Sequence, residues 1–275
     1  MNPVNPNTVT TNTSLSSFSA RRTLGRLALC ALTILAVLAP AVAGAATLQV
    51  CSTCTYTTIQ GAVNAAASGD SIEIAAGTYN ESVSIAGARS LVLYPMSGRV
   101  TLDATGFDRA LEILDPAADI LVEDFDLKNA NGYAGLVNRG RATLVTVHVV
   151  NNSGSFGGIF NTGTLLTYTH SLIGGNTSTA LGSAGGLNNF GWVDLWHTTV
   201  LGNQGHEGGG FKTSGTSRVS VWYSSISNNS ASSMGGGYFN SSPLAVVHMT
   251  ASSFSANSAP TCSTRYDVNL SPSCI

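Results

Sequence analysis

The feature that most constrains this chain is a short motif that returns every 22 to 28 residues. Four segments align without gaps: Ser171 to Asn176, Thr198 to Asn203, Ser224 to Asn229 and Ser252 to Asn257. Each places an apolar residue three positions before an asparagine. Weaker copies lie at Val149/Asn152 and Leu127/Ala130, so positions 127, 149, 173, 200, 226 and 254 are spaced by 22, 24, 27, 26 and 28. A second series interleaves with the first: Gly135 to Gly140, Gly158 to Gly163, Gly186 to Gly191, Gly210 to Gly215 and Gly237 to Ser242. A third is an alternating strand just before the first: Val193, Leu195, His197; Val219, Val221, Tyr223; Val247, Met249, Ala251.

Three short strand signals per period match one turn of a β solenoid. Leucine-rich repeats share the period but not the Leu pattern, and an antiparallel propeller needs longer blades. Turns stacked about 4.8 Å apart, roughly nine of them, make a rod on the order of 40 Å long. Stacking also accounts for the residue types. Leu136, Ile159, Leu187, Phe211 and Tyr238 form an inward apolar column. Two residues on, Asn138, Asn161, Asn189 and Asn240 form a column at a bend, with Thr213 as its gap. Stacked amides there bond backbone groups that a bend leaves without ladder partners.

Composition agrees with this reading. Only 9% of residues are charged, the net charge is -2, and 43% are hydrophobic. No basic field is present to attract nucleic acid or an acidic membrane surface.

The first 45 residues read as a signal peptide. Arg21, Arg22 and Arg26 precede an apolar run from Leu27 to Val42, and Ala43-Gly44-Ala45 offers a cleavage site. A membrane anchor is the alternative, but the run is short and broken by Pro40. After cleavage no stretch is long enough to span a bilayer. The β-helix domain then runs over 46–275. Thr57-Thr58-Ile59-Gln60 is a capping-box pattern, and a helix over 57–68 closes the first turn, which would otherwise expose unpaired strand edges. Residues 258–275 form a C-terminal cap. Four cysteines remain, Cys51 and Cys54 at the start and Cys262 and Cys274 at the end. In an exported chain these suit disulfides, and only local pairing fits stacked turns. A redox role for the first pair lacks a βαβ context.

Tyr56-Thr57-Thr58-Ile59-Gln60-Gly61-Ala62-Val63, Gly69-Asp70-Ser71-Ile72 and Ala76-Gly77-Thr78-Tyr79-Asn80-Glu81 resemble the opening of pectin-lyase-like proteins. The Gly-Gly-apolar segments beginning at Gly157, Gly185, Gly209 and Gly236 resemble repeats of bacterial polymorphic outer-membrane and related surface proteins. The resemblance implies an all-β, single-stranded, right-handed parallel β-helix. It implies no single activity, because members include polysaccharide lyases, esterases, hydrolases and silent adhesin passengers.

The acid motifs of the enzymatic members are incomplete in this chain. No Asp-Asp pair exists, Gly205-His206-Glu207 only approaches a Gly-His-Gly, and Glu123-Asp124-Phe125-Asp126-Leu127 departs from the esterase strand. A calcium-dependent lyase needs clustered carboxylates and a base. The nearest group is Asp103, Asp108, Glu123, Asp126 and Lys128, against which stands a solvated acidic face. Asp124 is expected to point inward at a bend. His170 and His197 share an inward position in neighbouring turns, read as a polar core stack or as a metal pair. His206 and Glu207 fall in a glycine-rich loop.

All three tryptophans, Trp192, Trp196 and Trp222, fall on the outward side of one strand family. Trp196 should stack over Trp222, and Trp192 should lie beside Arg218 in a cation–π pair. Asp194, Ser220 and His248 line the adjacent outward row. Indoles in a row with polar neighbours suit sugar rings, against which stand a covering loop, a partner chain or simple packing between turns. The expected carbohydrate-binding set is Trp192, Trp196, Trp222, Asp194 and His248. The function expected is a non-catalytic, secreted or cell-surface β-helix, extracellular or in a bacterial periplasm or outer surface, that contacts polysaccharide and needs no cofactor. The alternative is a lyase or hydrolase of acidic glycans, with calcium in the lyase case.

Overall fold

The structure, a computed structural model, describes residues 44–260. Nearly all of the expected signal peptide, most of the expected C-terminal cap, and Cys262 and Cys274 lie outside the described residues. The described chain winds as a right-handed parallel β-helix of about eight turns, slightly fewer than expected. A first face has nine strands, from Thr47–Val50 to Val246–Thr250. A second has eight, from Gly77–Tyr79 to Ser253–Ser255, and a third has seven, from Val83–Ile85 to Tyr238–Asn240. A narrow fourth face of five short strands, Asn131–Gly132 to Ser230–Met234, sits between the second and third. Its strands carry too few apolar residues to show a period in sequence.

Register follows the repeat. Ile173, Val200 and Ile226 are direct partners in successive turns and are buried. Leu136, Ile159, Leu187, Phe211 and Tyr238 stack likewise on the third face. The core is a column of such residues with no second layer behind it.

Two bends set the cross-section. The bend after the second face is made by one residue in the left-handed region: Asn129, Asn151, Gly175, Gly202, Asn228 and Ala256, with φ from 53° to 65°. The next residue is Ala130 in the first case and asparagine in the rest. Each asparagine Oδ1 from Asn176 to Asn257 accepts both the backbone N–H and the Nδ2 of the asparagine one turn earlier, at 2.9–3.0 Å. Each Nδ2 also donates to a carbonyl of the preceding turn, at 2.9–3.1 Å. The amides thus supply the partners that the bend removes from the strand ladder.

A shorter amide column, Asn138 to Asn161 to Asn189, is joined by bonds of 2.8 Å. At the Thr213 gap a hydroxyl pair with Ser217 takes over. Asn138 Oδ1 is the one buried side-chain acceptor without a partner among the described residues. Its register neighbour one turn earlier is Ile113, which has no donor to offer.

The other bend, between first and second faces, corrects three inward assignments. Asp124, Thr169, His170, His197 and Tyr223 all have positive φ there. The left-handed residue breaks the in–out alternation of the strand before it, so its side chain projects outward. His170, His197 and Tyr223 are exposed, and His197 stacks on Tyr223 at 5.3 Å. Asp124 is half-exposed and lies 3.9 Å from Arg99. The inward place falls to the following residues, Phe125, Ser171, Thr198 and Ser224, all buried. Ser171 and Ser224 hydroxyls accept backbone N–H groups from the turn before.

The helix spans Ile59–Ala65, shorter than expected, and buries Ile59, Ala62 and Val63. Its N-cap is Thr58, whose hydroxyl accepts from Gly61 N–H at 3.1 Å. Gln60 does not complete a capping box. It turns to the next coil, bonding Ser84 through both backbone groups, while Glu81 accepts from the Ile59 and Gln60 N–H groups. A carboxylate there also complements the helix dipole. A Cys51–Cys54 disulfide precedes the helix, and no described helix is long and apolar enough to cross a membrane.

Replacing Asn203 with Leu strands the Asn176 donors and the Ile173 carbonyl inside the coil, at about 1–3 kcal/mol per unpaired group. We predict a loss of about 3 kcal/mol or more in urea unfolding. Asn257→Leu, at the half-buried last rung, should lose clearly less. Equal losses would mean the amide column is not what holds the bend.

Candidate functional site

Two outward regions gather chemistry-bearing side chains. The first lies on the first face, where Trp192–Trp196 pairs with Arg218–Trp222. Alternation turns Val193, Leu195, Val219 and Val221 inward and the even-numbered positions outward, where Ser220 is nonetheless covered by its neighbours. Direct cross-strand pairing then puts Trp196 over Trp222, with rings stacked at 5.2 Å and an interplanar angle of 16°. Trp192 is 63% exposed. Between these indoles runs a groove of ≈ 290 Å³ walled by Thr164, Leu166, Asp194, Arg218 and Ser220.

Of the five residues expected to contact carbohydrate, four meet in this groove: Trp192, Trp196, Trp222 and Asp194. His248 does not line it. It is exposed one turn further along, as the partner of Ser220. Trp192 and Arg218 are register partners, yet the cation–π contacts among the described residues are Arg109 over Tyr133 and Lys212 over Phe239. Thr164 and Leu166 were missed. They sit one turn before Trp192 and Asp194, a neighbourhood the repeat spacing could have located.

The second region lies on the second face, where the strands Val100–Asp103, Phe125–Lys128 and His148–Val150 are neighbours. Asp126 Oδ1 accepts from Arg99 Nη1 and from His148 Nδ1, both at 3.0 Å. The same Arg99 nitrogen also donates to the Phe125 and Thr146 carbonyls, which ties the bend to two later turns. Lys128 Nζ lies 3.7 Å from Asp103 Oδ2. Asp103 also accepts from Thr105 and Asn129, and the Thr105 hydroxyl leads in holding its carboxyl below the usual carboxylate range. Asp126, Lys128 and His148 open onto a groove of ≈ 480 Å³ that continues over Val150, Leu172 and Leu201.

The expected acidic group therefore divides. Asp103, Asp126 and Lys128 come together, whereas Asp108 and Glu123 take no part in these bonds. His148 and Arg99 were missed, because neither carries a motif and only the register brings them to Asp126. Burial, and then the Arg99 charge, pushes the His148 imidazole below its ordinary value, against the opposing pull of Asp126 and Asp124.

His206 and Glu207 are not in a free loop. They belong to the strand Gln204–Glu207, where Glu207 pairs with Lys212 at 2.7 Å and His206 Nδ1 accepts from Gly182 N–H. Among the described residues no three His, Cys, Asp or Glu side chains converge as a metal site.

No protein-family model matches the chain, and no curated protein matches it. Among solved structures it is similar to two crystal structures of the pectin methylesterase from Aspergillus niger. For the deglycosylated form the identity is 19% and the TM-score 0.49, and for the penultimately deglycosylated form they are 18% and 0.45. Each alignment covers 82% of this chain and 90% of the other.

Because folding lowers the His148 pKa, its contribution to stability is present above the free-imidazole value of about 6.5 and declines as pH falls toward the folded value. An NMR titration should place the folded pKa below that of a free histidine. Asp126→Asn should lower it further, since the carboxylate favours the imidazolium. An upward move in the variant would contradict the contact.

Proposed function

We propose that the chain is an exported, extracellular or cell-surface β-helix that contacts polysaccharide through the tryptophan groove. The observation that carries this reading is the stacked Trp196–Trp222 pair beside an exposed Trp192, with Asp194 and Arg218 lining the groove between them. Indole faces stack on the C–H faces of sugar rings, and the polar side chains between them meet hydroxyls. Leaving an indole such as Trp192 in water is otherwise a cost. Secretion fits the Cys51–Cys54 disulfide and the N-terminal signal-like segment. No cofactor is required for contact of this kind.

A second reading is a polysaccharide lyase or hydrolase acting on acidic glycans; its lyase form is favoured by Asp126, Lys128 and His148 opening onto one groove, with Asp103 paired to Lys128. In the lyase form it would draw on calcium.

Glycan-array screening followed by calorimetry distinguishes the two. In the contact reading the protein binds a glycan without consuming it. Trp196→Ala/Trp222→Ala then weakens binding about tenfold or more, the equivalent of roughly 1.4 kcal/mol, with the melting temperature little changed. Unchanged affinity in that variant removes the groove from consideration. Release of unsaturated products or reducing ends from pectate or alginate, abolished by Asp126→Ala or Lys128→Ala, would favour the second reading instead.

A further inference from the structure

We infer that the second-face groove is a general-base site that hydrolyses carboxylic esters with a short, apolar acyl group, with His148 as the base. This inference does not depend on the tryptophan groove, which lies on another face.

The geometry supplies the parts. A carboxylate oxygen can only accept, so the 3.0 Å contact from His148 Nδ1 to Asp126 Oδ1 places the ring hydrogen on Nδ1. Nε2 is then left with a lone pair. Arg99 holds Asp126 from the opposite side, which fixes the carboxylate and through it the imidazole. Asp126 is thus a positioning residue. The charged and titratable groups facing His148 are Asp126, Asp124, Arg99 and Lys128. Its neighbour on the next turn is Leu172. Burial and Arg99 keep the imidazole neutral near pH 7, the form a general base needs.

The groove's other residues narrow the chemistry. Its walls are Asp126, Lys128, His148, Asn151, three aliphatic side chains and glycines, with no Ser, Thr, Cys or Tyr to serve as a nucleophile. With His148 as the base, Lys128 paired to Asp103 and Asp126 holding Arg99 and His148, water is taken as the attacking group. Asp126 is taken up as an acceptor for Arg99 and His148, and Asp103 for Thr105 and Asn129. Neither is presented as the carboxylic acid that glycoside cleavage requires. An ester needs no such acid, because the protonated base can return its proton to the departing alkoxide.

The step balances as follows. His148 Nε2 takes a proton from water while the water oxygen bonds to the acyl carbon. The carbonyl electron pair moves to oxygen, where the Lys128 ammonium and the Asn151 amide stand as donors on the strand and bend beside it. Lys128 and His148 are diagonal neighbours across the two strands, on the order of 7–8 Å apart at Cα, which leaves room for an ester between them. Collapse breaks the bond from acyl carbon to alcohol oxygen, and the imidazolium proton passes to that oxygen. The net change is ester plus water to carboxylic acid plus alcohol. Val150, Leu172 and Leu201 form the apolar floor for the acyl chain, while Gly174, Gly175 and Gly202 leave it uncrowded.

The test is acid release at constant pH from tributyrin, ethyl butyrate and acetylated xylan by the purified protein. We expect saturable turnover that falls about 100-fold or more in His148→Gln, with circular dichroism and melting unchanged. Lys128→Met should lower kcat, and Asp126→Asn should move the acid limb of the kcat/KM profile to lower pH. Trp196→Ala should leave turnover of the two small esters intact. In the native protein, butyrate should also perturb the His148 imidazole resonance, a readout that needs no variant to fold. No turnover on any of the three esters, or an equal rate in His148→Gln, overturns the inference.

Discussion

The structure depends on the hydrogen bonds that asparagine amides make at the bend after the second face. A parallel coil satisfies its backbone only while strands run side by side. Each bend interrupts that pairing inside a narrow interior that water does not enter. There, a left-handed residue turns the chain, and the side-chain amide after it bonds an N–H and a carbonyl of the preceding turn. Each rung also accepts from its neighbour, so the column is joined from Asn152 to Asn257. The first rungs of the two amide columns show the rule. Asn152 Oδ1 finds the Ala130 N–H, whereas Asn138, heading the other column beneath Ile113, leaves an oxygen unpaired.

With cohesion carried inside, the outward positions of each face are released from structural duty. On the first face they hold three indoles and an Arg218 that forms no ion pair among the described residues. On the second they hold an Asp–His pair and a Lys–Asp pair in a chain with few charges. The Glu207–Lys212 pair is different: it is nearly enclosed, and Lys212 also bonds the Gly182 carbonyl, so it braces the third and fourth faces.

Much of this was legible from residue spacing. Near-equal intervals of 27 and 26 residues between Ile173, Val200 and Ile226 are enough to stack them, because each interval closes one turn of the coil. The same logic placed Trp196 over Trp222. It failed where alternation was carried one residue too far. His197 continues the pattern of Val193 and Leu195 on paper, but a left-handed residue at the bend sends it outward and gives the interior to Thr198. His148 had no signal of its own, since a single histidine in an outward strand position looks solvated until the turn before it is known to carry Asp126.

The chain by itself determined the period, the inward columns, the amide rungs and the row of tryptophans, because each is a pattern that a one-dimensional repeat forces on its neighbours. Tertiary structure alone decided what the outward side chains meet. Exact turn lengths and the handedness of single bend residues set the register, and a shift of one residue reverses which face a side chain occupies. For that reason the Asp126–His148 contact, the exclusion of His248 from its groove and the commitment of Glu207 to Lys212 emerge only once the coils are wound.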